Sequence, residues 1–307
     1  MQTSMKRDKS NQINIVFNEN DINCSQNKRT HEVRDEPTFR MIEQHFAKFI
    51  GLEQIKQHVK EIYAMRLINE QRQHFKLNCS QQVFHMMFKG NPGTGKTTFA
   101  RTLAQLYYEM NILSKGHIIE VDRADLVGEY IGQTAQKTRN LIKKALGGIL
   151  FIDEAYSLAR GGEKDFGREA IDSLVKHMED FQNDLVIIMA GYPYEMDYFL
   201  RLNPGLKSRF PFIIDFPDYS VDELINIAKI MAHERDYILA KSAIHLLKNH
   251  LIEQLLFNDY NFSNARYIRN TIERAIRTQA MRLIGMNHLL ADDLMMLTRE
   301  DFSFIDD

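Results

Sequence analysis

Cysteine is nearly absent: Cys24 and Cys79 are the only two in 307 residues, and both stand among polar neighbours with no CxxC or Cys/His ligand spacing. This excludes a disulfide framework and a cysteine-based zinc site, leaving two plain reduced thiols. Long apolar runs are missing as well. No stretch reaches the roughly 20 uncharged apolar residues that a membrane span needs, and the opening "MQTSMKRDKSNQ" lacks the apolar core of a signal peptide. The expectation is a soluble, cytoplasmic protein with no membrane insertion. Charge of one sign is not in excess either: 39 Lys+Arg against 41 Asp+Glu give a net charge of −2. No global basic field is present to hold nucleic acid constitutively, although a local patch stays open. The eleven histidines are scattered, and His245 and His250 have neither i,i+4 spacing nor acidic companions for a metal. No Ser/His/Asp set accompanies a turn such as G-x-S-x-G, and no internal repeat is found.

What is present reads as a globular chain, with 44% hydrophobic and 26% charged residues. Its length suggests one medium domain and one smaller one, at about 150 residues per domain. Residues 1 to 36 are rich in Asn, Gln, Lys, Asp and Glu and read as a flexible tail, with "INIVF" as its only apolar interruption and a possible docking segment. From Thr38 the pattern is helical, with Ile55, Val59, Ile62 and Leu67 spaced for one buried face and "IGL" (50–52) dividing the region in two. Short strands then alternate with helices. The strands are "VFHMMF" (83–88), "HIIEV" (117–121), "GILFID" (148–153), "DLVIIMAG" (184–191) and "FIIDF" (212–216). Ala100, Leu103, Ala104 and Tyr107 share one helical stripe, and Ala170, Leu174 and Met178 another. Continuous apolar runs such as "GILFI" fit strands covered on both faces. The fold class is therefore α/β: a doubly wound, mostly parallel five-stranded sheet. After "FPDYS" only helical patterns follow, so the expected domains are a tail at 1–36, an α/β nucleotide-binding domain with an N-terminal helical segment at 37–219, and a small all-helical lid domain at 220–307.

Gly90-Asn91-Pro92-Gly93-Thr94-Gly95-Lys96-Thr97 fits G-x-x-x-x-G-K-[ST] and lies between a predicted strand and a predicted helix, the context this P-loop motif requires. Its glycines let successive N–H groups face a phosphate, and the following helix adds its positive end. The expected contacts are these eight residues and Thr98, with Lys96 on the β- and γ-phosphates of ATP or GTP and Thr97 on Mg²⁺. Downstream, "GILFIDEAY" ends an apolar strand in Asp153-Glu154. Asp153 is placed to meet Mg²⁺, and Glu154 to polarise the water that attacks the γ-phosphate. Such a tandem pair favours hydrolysis over transfer to a second substrate.

With these two motifs joined to a helical C-terminal region, the chain resembles the AAA+ ATPases. The resemblance implies that Ile50 and Gly51 of "FIGLEQIK" line the adenine pocket. It implies that Arg209 of "LNPGLKSRFPF" is an arginine finger reaching a neighbour's γ-phosphate, and that Arg266 of "FSNARYIRN" is the second sensor, touching phosphates in its own subunit. Where the superfamily often carries Asn or Thr as first sensor, this chain has Ala190, Gly191 and Tyr192, which leaves the Tyr192 phenol as the candidate. The run from "FKGNPGTGKTTFARTLAQLYYEMNIL" to "NPGLKSRFPFIIDFPDYS" resembles one branch in particular, that of the sporulation ATPases of spore-forming bacteria and the red-type Rubisco activases, and lies nearer the former. The branch implies a ring, commonly a hexamer, that remodels a protein substrate, here in spore formation.

Within that resemblance, "GEYIGQTAQKT" (128–138) sits where remodellers place a pore loop, and Tyr130-Ile131-Gly132 has its aromatic–aliphatic–glycine order. An aromatic side chain grips varied polypeptide without a specific partner; chemistry alone leaves a core tyrosine equally open. "ARGGEKDFGRE" (159–169) reads as a second channel loop or a solvated one. Arg266, Arg269, Arg274, Arg277 and Arg282 form a basic row interrupted by Glu273, read as a solvated or intersubunit face rather than a nucleic-acid one. A loader-type ATPase acting on DNA-bound complexes and a nucleotide-controlled scaffold are the competing readings.

Overall fold

The computed structural model describes residues 36–305, apart from 48, 79–82, 131, 161–165, 258–261 and 287. The tail with "INIVF" and Cys24, together with Cys79, Ile131 and the centre of the 159–169 loop, lies outside the described residues. Five apolar segments form the strands β1 (Met86–Gly90), β2 (Ile118–Val121), β3 (Ile149–Ile152), β4 (Val186–Gly191) and β5 (Phe212–Phe216). They pair as one sheet in the order β2-β3-β4-β1-β5, and every pairing is parallel. β3 and β4 are buried at every position, as strands covered on both faces must be.

Alternation along these strands sorts the core into two layers. Met86, Phe88, Phe151, Ile188 and Ile214 face one side, against Ile42 and Phe46 of α1 (Glu36–Phe46), Ile55, Val59 and Ile62 of α2 (Glu53–His74), and Phe99, Leu103 and Tyr107 of α3 (Lys96–Glu109). Leu67, read into the same stripe of α2, is only partly buried there. Met87, Leu150, Ile152, Ile187 and Met189 face the other side. The short α4 (Arg123–Leu126) leads into α5 (Gln133–Ala145), which packs there with α6 (Gly167–Asp180) and α7 (Pro193–Leu202) through Ile142, Leu174, Met178 and Phe199. A single-turn α8 (Pro204–Lys207) precedes β5. Because β3, β4 and β1 are adjacent and parallel, the segments leaving their carboxyl ends emerge side by side, the usual ligand-binding edge of such a sheet.

After β5 the chain forms α9 (Val221–His233), α10 (Lys241–Phe257) and α11 (Asn264–Ile284) around a third core containing Leu224, Leu247, Leu251, Ile268 and Ile272, followed by the short, unburied α12 (Ala291–Met295). Ser220 opens α9 with a capping box: its backbone N–H donates to Glu223 Oε2 at 2.8 Å, and the Glu223 N–H returns to Ser220 Oγ at 3.3 Å. One detail departs from the purely helical reading. Ile238–Leu239 (β6) and Met296–Leu297 (β7) form a two-residue parallel ladder that ties the C-terminal segment to the end of α9; two residues carry no readable period. The carboxylate of Asp301, fully buried, accepts Arg282 Nε at 2.8 Å and Nη2 at 3.0 Å and closes the C-terminal end.

Beneath the sheet, His85 joins three elements. The Ile187 N–H donates to His85 Nδ1 at 3.0 Å, so the imidazole proton sits on Nε2, which donates to Met178 O at 3.3 Å. A second proton has no room opposite an N–H, and burial pushes this histidine down to about 4. The unfolded chain takes up that proton near pH 6.5 and the folded chain does not. Stability contributed here is therefore full above about pH 6.5 and is lost as pH falls toward 4, by up to about 3 kcal/mol. Denaturant titrations of the wild type and a His85→Asn variant should show a stability difference that shrinks on acidification across that window; a pH-independent difference would remove His85 from the acid response.

Candidate functional site

At the end of β1 the chain turns through 91–95 and enters α3 at Lys96. Gly93 (φ 73°) and Gly95 (φ 95°) hold left-handed conformations that most side chains avoid. At Gly93 a Cβ would also lie 2.1 Å from Ser263 O, so residue 93 is pressed against the segment preceding α11. Thr94 is fully buried and its Oγ1 donates to Asn91 O at 2.9 Å. The first N–H groups of the fourteen-residue α3 have no carbonyl within the helix to meet, and they add the positive end of its dipole to the turn.

Over this turn opens a pocket of about 470 Å³, within the size range of small-molecule sites. Pro92, Gly93, Gly95, Lys96, Thr97 and Thr98 line its floor, Asp153 and Glu154 enter from the end of β3, and Tyr192 from the end of β4. Arg266 enters from α11. Ile50, before α2, joins Phe49 and residues Ile227, Ile230 and Met231 of α9 at an apolar end suited to a flat aromatic base. Gly51, Gly90, Asn91 and Thr94 do not line the pocket. Gly51 packs against Glu223, Gly90 against the Phe216 backbone, and Asn91 Nδ2 donates to Asp218 Oδ2 at 2.8 Å. These four shape the pocket from behind.

Lys96 Nζ donates to Gly90 O at 2.7 Å and Asn91 O at 2.8 Å. Burial pushes its ammonium down to about 8; Asp153 opposes this and Arg266 adds to it. The fall reflects a cation drawn out of water, which an anionic ligand would stabilise. Asp153 is anchored by its N–H on Val121 O at 3.0 Å. Glu154, the next residue, is held at φ 45°, an unusual conformation for a non-glycine residue, and its N–H donates to Asp153 Oδ1 at 3.0 Å. Nearby Tyr156 is buried, and burial together with the Glu154 carboxylate raises its phenol above the ordinary range. Lys96, Thr97 and Asp153 thus present a cation, a hydroxyl and a carboxylate in one pocket. That set fits a magnesium–nucleoside triphosphate complex, in which Mg²⁺ takes few protein oxygens and binds the phosphates as well.

Three of the expected residues lie elsewhere. Arg209 does not line the pocket; its Nε donates to Glu179 Oε1 at 3.1 Å, its Nη2 also contacts that oxygen, and Nη1 donates to Gly205 O at 2.8 Å. Tyr130 is 67% exposed, which rules out the core-tyrosine alternative. Gly132 (φ 82°) caps α5 in open space, with nothing within 4 Å of the position a Cβ would take. Conversely, Tyr219 and the apolar face of α9 line the pocket without having been singled out, and Arg269, read into the basic row as a solvated or intersubunit face, lines it as well. Arg269 was legible in principle, three residues beyond Arg266 on the same helical face. Among the described residues no helix is long and apolar enough to cross a membrane.

Comparison with known proteins bears on this geometry. Residues 86–218 match the family described as ATPase family associated with various cellular activities (AAA), and residues 220–307 match the AAA lid domain. Stage V sporulation protein K of Bacillus subtilis is 59% identical over 263 residues, covering 85% of this chain and 82% of that protein. The chloroplastic ribulose bisphosphate carboxylase/oxygenase activase of Cyanidioschyzon merolae is 44% identical over 257 residues, covering 83% and 87%. Protein CfxQ of Xanthobacter flavus is 46% identical over 235 residues, covering 76% and 74%.

Proposed function

We propose that this chain, which belongs to the AAA family of ATPases, uses Mg²⁺-dependent ATP hydrolysis to remodel a protein client as a ring of identical subunits. The observation that carries the reading is the meeting of Lys96, Thr97, Asp153, Glu154 and Arg266, from separate segments, in one pocket of about 470 Å³. In this reading the backbone at Gly93 and Gly95, together with Lys96, holds the β- and γ-phosphates, and the adenine lies at the apolar end near Ile50. Thr97 and Asp153 would hold Mg²⁺, which when bound would neutralise charge on the phosphates. Glu154 takes the proton of the attacking water, Tyr192 serves as first sensor, and Arg266 touches the phosphates from the lid. Arg209 completes a neighbour's site. In this reading the chain has a tail at 1–36, an α/β body at 37–219 and a lid at 220–307, which the matches to residues 86–218 and 220–307 support.

The client is read as a protein because Tyr130 stands exposed beside Gly132 on the segment before α5, with no core to fill. One similar protein is named as an activase of another enzyme and another as a sporulation protein, which supports a remodelling role in spore formation. The arginine row gives little to a nucleic-acid reading. Arg266 and Arg269 line the pocket, Arg274 sits 4.1 Å over the Phe304 ring, and Arg282 pairs with Asp301.

The test uses ATP hydrolysis that requires Mg²⁺, measured with and without a client captured from the native cell. Tyr130→Ala is expected to lower the ratio of client-stimulated to basal hydrolysis by roughly tenfold, the scale of losing an exposed aromatic anchor. An unchanged ratio removes this loop from client engagement.

A further inference from the structure

Three consecutive carbonyls on the outer side of the phosphate loop each accept a hydrogen bond from the lid or from the segment leading into it. Asn264 Nδ2 donates to Pro92 O at 3.3 Å, the Ala265 N–H to Gly93 O at 3.2 Å, and Tyr219 Oη to Thr94 O at 3.0 Å. One residue upstream, Asn91 Nδ2 donates to Asp218 Oδ2 at 2.8 Å, and the other oxygen of Asp218 accepts Asn264 Nδ2 at 2.7 Å. Asn264 Oδ1 in turn accepts the Tyr219 N–H at 3.0 Å. Asn264 is fully buried and holds φ 47°, a left-handed conformation that asparagine tolerates better than most residues. Its amide therefore joins the loop, the 218–219 segment and the start of α11.

In a trans peptide unit the C=O of one residue and the N–H of the next point to opposite sides. Pinning the carbonyls of 92, 93 and 94 toward the lid therefore turns the N–H groups of Gly93, Thr94 and Gly95 away from it, toward the inner side of the loop. We propose that Asn264 and Tyr219 are positioning residues of the phosphate loop, through which lid position sets the orientation of the loop peptides and hence the affinity for phosphate. This rests on the reading that the loop holds the phosphates of a nucleotide. It adds to Arg266 a second link between lid and site that acts through backbone orientation rather than side-chain charge. Burial pushes the Tyr219 phenol up to about 12, so it stays protonated and remains the donor at neutral pH.

Two substitutions separate this role from ordinary packing. Tyr219→Phe keeps the ring in the lid core and removes one donor. Asn264→Gly keeps the left-handed backbone accessible and removes the side-chain bonds. Each is expected to raise the Kd for ADP, measured by calorimetry, roughly 3- to 10-fold, the scale of one or two hydrogen bonds. KM for ATP should rise by more than kcat falls. Adenosine, which occupies the base end but has no phosphate, should lose less than about twofold in competition, well below the single-bond scale. Equal weakening of adenosine and ADP, or a lowered melting temperature with unchanged ADP affinity, overturns the proposal. If Asn264→Gly fails to fold, Tyr219→Phe decides the matter alone. A wild-type protein that does not bind ADP defeats the nucleotide reading itself, whereas a wild type that binds ADP no better than both variants defeats only the lid-to-loop coupling.

Discussion

Replacing Glu154 with glutamine is expected to lower ATP turnover by roughly two to four orders of magnitude while nucleotide still binds. The residue stands at the end of β3 beside Asp153 and lines the pocket whose floor is Lys96 and Thr97. Its φ of 45° suits Gln no worse than Glu, so the substitution adds no backbone strain. A glutamine amide fills the same volume and can orient water, but it cannot take a proton at neutral pH. Binding contacts from the loop, Lys96 and Arg266 remain, so ADP and ATP affinities should stay within a few-fold of wild type, a loss of about 1 kcal/mol or less. Phosphate release in a single-turnover assay, set beside calorimetric binding, separates the two effects. Normal release by the variant would take the water-activating role away from Glu154. Because such a variant holds ATP without consuming it, it is also the bait with which a client can be captured.

The sheet was legible because its strands carry their burial in their composition. "GILFI" and "LVIIMA" hold no charge, and every residue of β3 and β4 is buried. β2 reads less clearly, since Glu120 reaches solvent and pairs with Arg101 at the edge of the sheet. The phosphate loop and the Asp153-Glu154 pair were legible because their chemistry is local: spacing along the chain is nearly spacing in space. Asn264 and Tyr219 were not, since nothing in "FSNARY" or "FPDYS" reveals that both segments meet the loop after β1; Tyr219 lies 125 residues from Thr94, and Asn264 172 from Pro92. The apolar end of the pocket was missed for a related reason. Ile227, Ile230 and Met231 belong to an ordinary amphipathic stripe of α9, which periodicity assigns to the lid core, whereas the pocket takes part of it. Chemistry alone left Tyr130 open between the pore-loop role that the resemblance implies and a core tyrosine, because the same motif would serve a turn that buries its aromatic residue; its exposure removes only the second.

Arg209→Ala is expected to lower turnover by about three orders of magnitude, and activity should return when this variant is mixed with Glu154→Gln. Arg209 leaves the end of α8 and is held by Glu179 and the Gly205 carbonyl, and it contributes nothing to the lining of its own chain's pocket. To stabilise charge in such a pocket it has to be presented by another copy, through a head-to-tail interface in which the pocket of one subunit meets the 204–210 segment of the next. Each variant alone then lacks one half of every site. In mixed rings, a pocket from an Arg209→Ala subunit still has Glu154, and a Glu154→Gln neighbour still offers Arg209. At equal mixing about one interface in four has this order and regains both groups. The recovered rate should rise with total protein concentration as rings assemble and should peak near equal proportions. An arginine acting within its own chain predicts the opposite: every site in the mixture lacks either its base or its finger, and the mixture stays inactive at all ratios. Recovery therefore identifies the pocket as half of an intersubunit site, and its absence at concentrations where rings form returns Arg209 to the local ion pair with Glu179.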